Sequence, residues 1–134
     1  MGGVVALLLM PGCNSGRDTP PPMALHAQGK SVRDKVGSFC AGNSCGDAAG
    51  SAGPTVHLRP GPSKVSFDWA WDADNYEVAL CRGSAFRRCI STVTIVPDKT
   101  GTIDLRPGKS MISVFATWRG GDASYEWFVD VGKS

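Results

Sequence analysis

Histidine is scarce in this chain. Only His26 and His57 occur among 134 residues, which leaves little for acid–base or metal chemistry through imidazole. Charge of one sign is scarce too: 14 Lys and Arg against 12 Asp and Glu give a formal charge of +2, which excludes the electrostatic footprint of a nucleic-acid binder. Long apolar runs are missing. The longest, Val4 to Met10, covers seven residues. As a helix it would span about 10 Å, against a hydrocarbon core of roughly 30 Å. No stretch shows a clear helical repeat; Ser31 to Val36 comes nearest and reads equally as a strand. No glycine loop has the strand-to-helix context that cradles phosphate. What is plentiful is turn chemistry, with 17 Gly and 9 Pro. With 42% apolar and 19% charged residues, the composition is neither disordered nor coiled-coil, and the length suits one small domain.

Cysteine occurs at 13, 40, 45, 81 and 89, an odd number that needs an explanation in an exported chain. Cys13 closes the opening segment, after the apolar run and Pro11-Gly12. That segment resembles the signal of a bacterial lipoprotein precursor. Gly12-Cys13 matches the end of the lipobox, while Met10 and Pro11 depart from it. The resemblance implies a signal peptide over 1–12, cut before a Cys13 acylated on sulfur (a palmitate-type modification). It implies a chain held outside the cytoplasm on the cell membrane or outer membrane. Two acyl chains make a stable anchor, at about 0.8 kcal/mol per buried CH₂. Residues 13–22 then form a lipidated, Pro-rich tether, and residues 23–134 a single domain.

Several segments of that domain alternate apolar and polar residues with period two, the mark of half-buried strands. Val65, Phe67, Trp69 and Trp71 fall on one face of the clearest. Tyr76 to Leu80, Cys89 to Val96, Thr102 to Leu105, Met111 to Trp118 and Ser124 to Val131 continue the set, and Gly120-Gly121 signals a hairpin between the last two. Ala24 to Ala27 and Lys30 to Cys40 are expected to add strands at an edge. Leu58-Arg59-Pro60-Gly61 is echoed by Leu105-Arg106-Pro107-Gly108, each marking a turn that needs positive φ at its glycine. The expected fold is all-β, an antiparallel sandwich. From about 54 to 131 the chain resembles an immunoglobulin-like sandwich of the fibronectin type III kind. The match rests on Trp69 or Trp71, Tyr76-Glu77-Val78, the Leu105 to Gly108 corner and the strand after it. Met111 stands where that family carries a tyrosine.

Setting Cys13 aside leaves four cysteines, for which three pairings exist. The two local ones, Cys40–Cys45 and Cys81–Cys89, are expected. Ala41 to Ser44 is a flexible turn, and Cys81 and Cys89 end and begin consecutive strands. Zinc is disfavoured by the spacing of the second pair.

Other candidates for chemistry are weak. Gly42-Asn43-Ser44-Cys45-Gly46 has the letters of a nucleophile elbow without the helix that should follow it. Asp68, Asp72, Asp74 and Glu77 are the densest acids, but they lack the glycine and distal glutamate of a calcium loop, so turn roles are expected and Ca²⁺ at Asp72 and Asp74 stays open. The tryptophans are expected in the core. The candidate binding loop is Arg82, Phe86, Arg87 and Arg88, three forked cations and an aromatic between two cysteines, suited to carboxylate or phosphate. No catalytic residue, metal or cofactor is expected. The expected function is non-catalytic binding in the cell envelope, to an envelope protein or an anionic wall or lipid component and not to nucleic acid. An accessory subunit of an envelope complex is the alternative, and an extracellular enzyme comes third.

Overall fold

A computed structural model describes residues 19–34, 36–46, 54–82, 88–96 and 99–133. Cys13 and the proposed signal peptide lie outside them, as do Phe86 and Arg87. The described residues are all-β. The strands are β1 (Met23–Ala27), β2 (Lys30–Arg33), β3 (Phe39–Ala41), β4 (Ser44–Gly46), β5 (Thr55–Leu58) and β6 (Gly61–Trp69). They continue with β7 (Asn75–Arg82), β8 (Arg88–Ile95), β9 (Gly101–Leu105), β10 (Gly108–Trp118) and β11 (Gly121–Val131).

Two sheets form. The smaller has the order β2-β1-β6-β9; the larger runs β4-β3-β11-β10-β7-β8. Pairing is antiparallel, except that β5 lies parallel to β11 from Phe128 to Val131. β11 thus shares one edge between two short strands, β3 at its start and β5 at its end. β1 was expected at an edge. It is an inner strand between β2 and β6, and its alternate residues Met23, Leu25 and Ala27 are buried.

The period-two alternation becomes the core. Val65, Phe67 and Trp69 of the small sheet face Tyr76, Val78, Ile112, Val114, Tyr125 and Trp127 of the large one in a single buried cluster. Phe67 lies 5.7 Å from Trp127 and 5.9 Å from Tyr76, ring centre to ring centre. Each such side chain contributes about 1.5–3 kcal/mol by leaving water. Three tryptophans are buried as expected; Trp71, beyond the end of β6, is half-buried against Trp69 and Trp118.

Both disulfides take the expected local form. Cys40 and Cys45 face each other across the β3–β4 hairpin, and Cys81 faces Cys89 across β7–β8. The β10–β11 hairpin turns on Arg119-Gly120, one residue earlier than the diglycine suggested, with Gly120 at φ 113°. Gly121 is needed for a different reason: a Cβ there would sit 2.1 Å from the Cys40 carbonyl oxygen.

The Leu-Arg-Pro-Gly echo has a structural meaning. Each copy carries the chain from one sheet to the other, β5 to β6 and β9 to β10, and Gly61 pairs with Leu105 so that the corners adjoin. Gly61 and Gly108 adopt φ of 114° and 116°, as that turn requires. In each copy the leucine and the serine two places after the glycine, Ser63 and Ser110, are buried. A side chain from outside clasps each corner. The Gln28 amide receives the Arg59 N–H at 2.7 Å and donates to the Arg59 carbonyl at 2.8 Å. The Arg82 guanidinium donates to the Arg106 carbonyl at 2.8 Å and the Pro107 carbonyl at 3.4 Å. Where the resembling family would lock this corner with a tyrosine, the chain uses an arginine from β7.

Candidate functional site

Strand directions sort the charged residues to two ends of the sandwich. One end holds the start of β6, β8 and β10 and the finish of β5, β7, β9 and β11. Both corners lie there. Their arginines, Arg59 and Arg106, are exposed, as are Lys109 and Lys133. Arg82 and Arg88 sit opposite each other across β7–β8, and Lys30 begins β2 on the same side. Seven cations thus face two acids, Asp104 and Asp130, among the described residues. Asp104 lies 3.9 Å from Arg106 and Asp130 lies 3.9 Å from His57. These contacts are solvent-exposed and contribute under about 1 kcal/mol each.

The opposite end is acidic and aromatic. Asp34, Asp68, Asp72, Asp74 and Asp122 gather there against Arg33, Lys99 and Arg119. A formal charge of +2 for the whole chain therefore hides two poles of opposite sign.

The N-terminal segment docks at the acidic pole. Pro20 is buried. The Pro21 carbonyl accepts from the Tyr125 hydroxyl at 2.9 Å and from Trp69 Nε1 at 3.1 Å, and that indole N–H also donates to the Tyr125 oxygen at 2.7 Å. Trp69, Trp71 and Trp118 surround the junction with centroid separations of 5.3–5.7 Å. Burial, above all, pushes the Tyr125 phenol well above its ordinary value, although the Trp69 hydrogen bond opposes it. A raised phenol pKa makes the contribution of Tyr125 complete below its unfolded value of about 10, and it is lost as pH rises beyond that. Tyr125→Phe is therefore expected to cost about 1 kcal/mol at neutral pH and to flatten the loss of stability above pH 10; denaturant titrations across pH check both.

Of the sequence-expected binding residues, Arg82 has most of its reach taken up by the corner carbonyls, with Nε buried and unpaired. Arg88 is exposed beside it. Sequence inspection centred on the loop alone missed the four exposed cations that the corners, Lys109 and the C-terminal end bring to the same pole. The repeated Arg-Pro-Gly was the available signal for two of them.

The acidic quartet does not converge. Asp68 lies on the outer face of the small sheet and Glu77 on that of the large one, with Asp72 and Asp74 in the connection between β6 and β7. No group of three metal-ligating side chains occurs among the described residues. Ser44 lies on β4 opposite Ala41, within the disulfide-closed hairpin. His57 is outward-facing on β5, and His26 lies on the outer face of the small sheet. Comparison with family models, curated proteins and solved structures finds no match to this chain.

Proposed function

We propose that this chain is a bacterial surface lipoprotein whose immunoglobulin-like sandwich binds an anionic polymer of the cell envelope. The observation that carries the proposal is the segregation of charge, seven cations against two acids at one pole. A concentration of like charge focuses field lines and draws in a polyanion, and arginine forks suit its phosphates or carboxylates. Two disulfides support an oxidising location. An immunoglobulin-like arrangement is supported by the strand orders and by β5 lying parallel to β11.

The tether favours a polymer over the chain's own membrane. Pro21 is held at the acidic pole, eight residues after Cys13. Those eight residues reach at most about 28 Å, so an anchored domain has its acidic pole toward the lipid and its basic pole outward. The accessory-subunit alternative has one observation in its favour: Phe115, 41% exposed, shares the outer face of the large sheet with half-buried Met111 and Phe128.

The test is binding of detergent-solubilised full chain to immobilised polyphosphate over a range of salt. Affinity is expected to fall steeply with salt. Replacing Arg59, Arg88, Arg106 and Lys109 together by Gln is expected to weaken binding about tenfold or more and to flatten the salt dependence. Equal affinity in that variant would refute the proposal.

A further inference from the structure

A second cationic feature adjoins the pole, on the outer face of the small sheet. Ser31, His26 and Ser66 form a row across β2, β1 and β6. One step along β6, Lys64 stands opposite Thr102 of β9. Small side chains in the row leave a depression between the longer ones, a cavity of about 460 Å³ lined by His26, Lys30, Ser31, Lys64, Ser66 and Thr100. No carboxylate lines it. Lys30 Nζ donates to the His57 carbonyl. The side chains of His26, Lys64, Ser31, Ser66 and Thr100 make no hydrogen bond or ion pair with other described residues.

We infer that this trough is a binding site for a phosphoryl group carried on a polyol or sugar unit. Lys64, His26 and three hydroxyls offer a cation and neutral donors with no carboxylate among them, and a tetrahedral phosphoryl group presents three acceptor oxygens to meet them. The depression is open to solvent and larger than a bare phosphate, so it leaves room for the unit to which the phosphate is joined. That unit is hydroxyl-bearing, because hydroxyls line the walls beside the imidazole of His26. The site stands by itself; only its assignment to repeating units of a polymer rests on the proposed function.

Calorimetric titration of the full chain with glycerol phosphate, and with glycerol as control, tests it. Saturable binding of glycerol phosphate and none of glycerol are expected. Lys64→Gln and His26→Asn are each expected to weaken it about tenfold, while Arg59→Gln with Arg106→Gln leaves it unchanged. Both trough side chains lie on the solvent face of the sheet, and circular dichroism of the variants confirms folding. Absence of saturable binding, or equal binding in Lys64→Gln, overturns the inference. Polyphosphate binding without glycerol phosphate binding overturns the trough alone and leaves the basic pole standing. Glycerol phosphate binding lost in Lys64→Gln, without polyphosphate binding, upholds the trough and overturns the pole.

Discussion

Trp127→Ala is expected to lower the stability of the domain by about 3–5 kcal/mol, read as a shift in the midpoint of denaturant unfolding. Trp127 is fully buried in β11, one of the two longest strands, and its indole N–H donates to the Val32 carbonyl at 3.0 Å. That bond ties the large sheet to β2, an edge strand of the small one. Alanine would leave a cavity beside Phe67 and an unpaired carbonyl at once. Total stabilities of small domains are about 5–15 kcal/mol, so this one change removes a large share. Trp71→Ala is the internal contrast. Trp71 is half-buried at the aromatic end, with its ring over Trp69 and Trp118, and its loss is expected to cost less than half as much.

Loss of both disulfides is the second large effect. By chain entropy, closing the six-residue ring of Cys40–Cys45 contributes about 2 kcal/mol, and closing the nine-residue ring of Cys81–Cys89 about 2.5 kcal/mol. Unfolding with and without reductant is expected to differ by about 4.5 kcal/mol. The bonds should open in sequence. Cys40 and Cys45 are both exposed, whereas in the second pair Cys89 is exposed and Cys81 is 2% exposed, so an external thiolate has two accessible sulfurs in the first bond and one in the second. Thiol trapping during mild reduction, followed by peptide mapping, is expected to label Cys40 and Cys45 before Cys81. Simultaneous opening would show that accessibility does not control the order.

Much of the sandwich was legible because a strand with one buried face writes its period into the sequence. Val65, Phe67 and Trp69 mark the core of β6 without ambiguity, and so do Ile112, Val114 and Ala116 in β10. The cysteine pairs were legible because each spans a short turn between strands. Three features were not. β5 has only four residues and pairs in parallel with a strand more than 70 positions away, which no local pattern encodes. β1 looked peripheral because Ala24 and His26 dilute its apolar signal, yet Met23 and Leu25 sit among the most buried side chains. Pro20 and Pro21 looked like free tether, since proline carries no donor and little apolar pattern; the acceptor at Pro21 is used by two aromatic side chains far along the chain. The charge poles escaped notice for a related reason. Composition adds charges over the whole chain, while the sandwich separates them by strand direction, so a sum near zero concealed a strong asymmetry.

The proposed role rests on export and anchoring at Cys13, and the intact mass of the native protein in fractionated cells tests this most directly. The account predicts recovery from the membrane fraction of a chain beginning at Cys13, carrying acyl chains, with four hydrogens fewer than its reduced form. A full-length chain in the cytoplasmic fraction with five free thiols would contradict it.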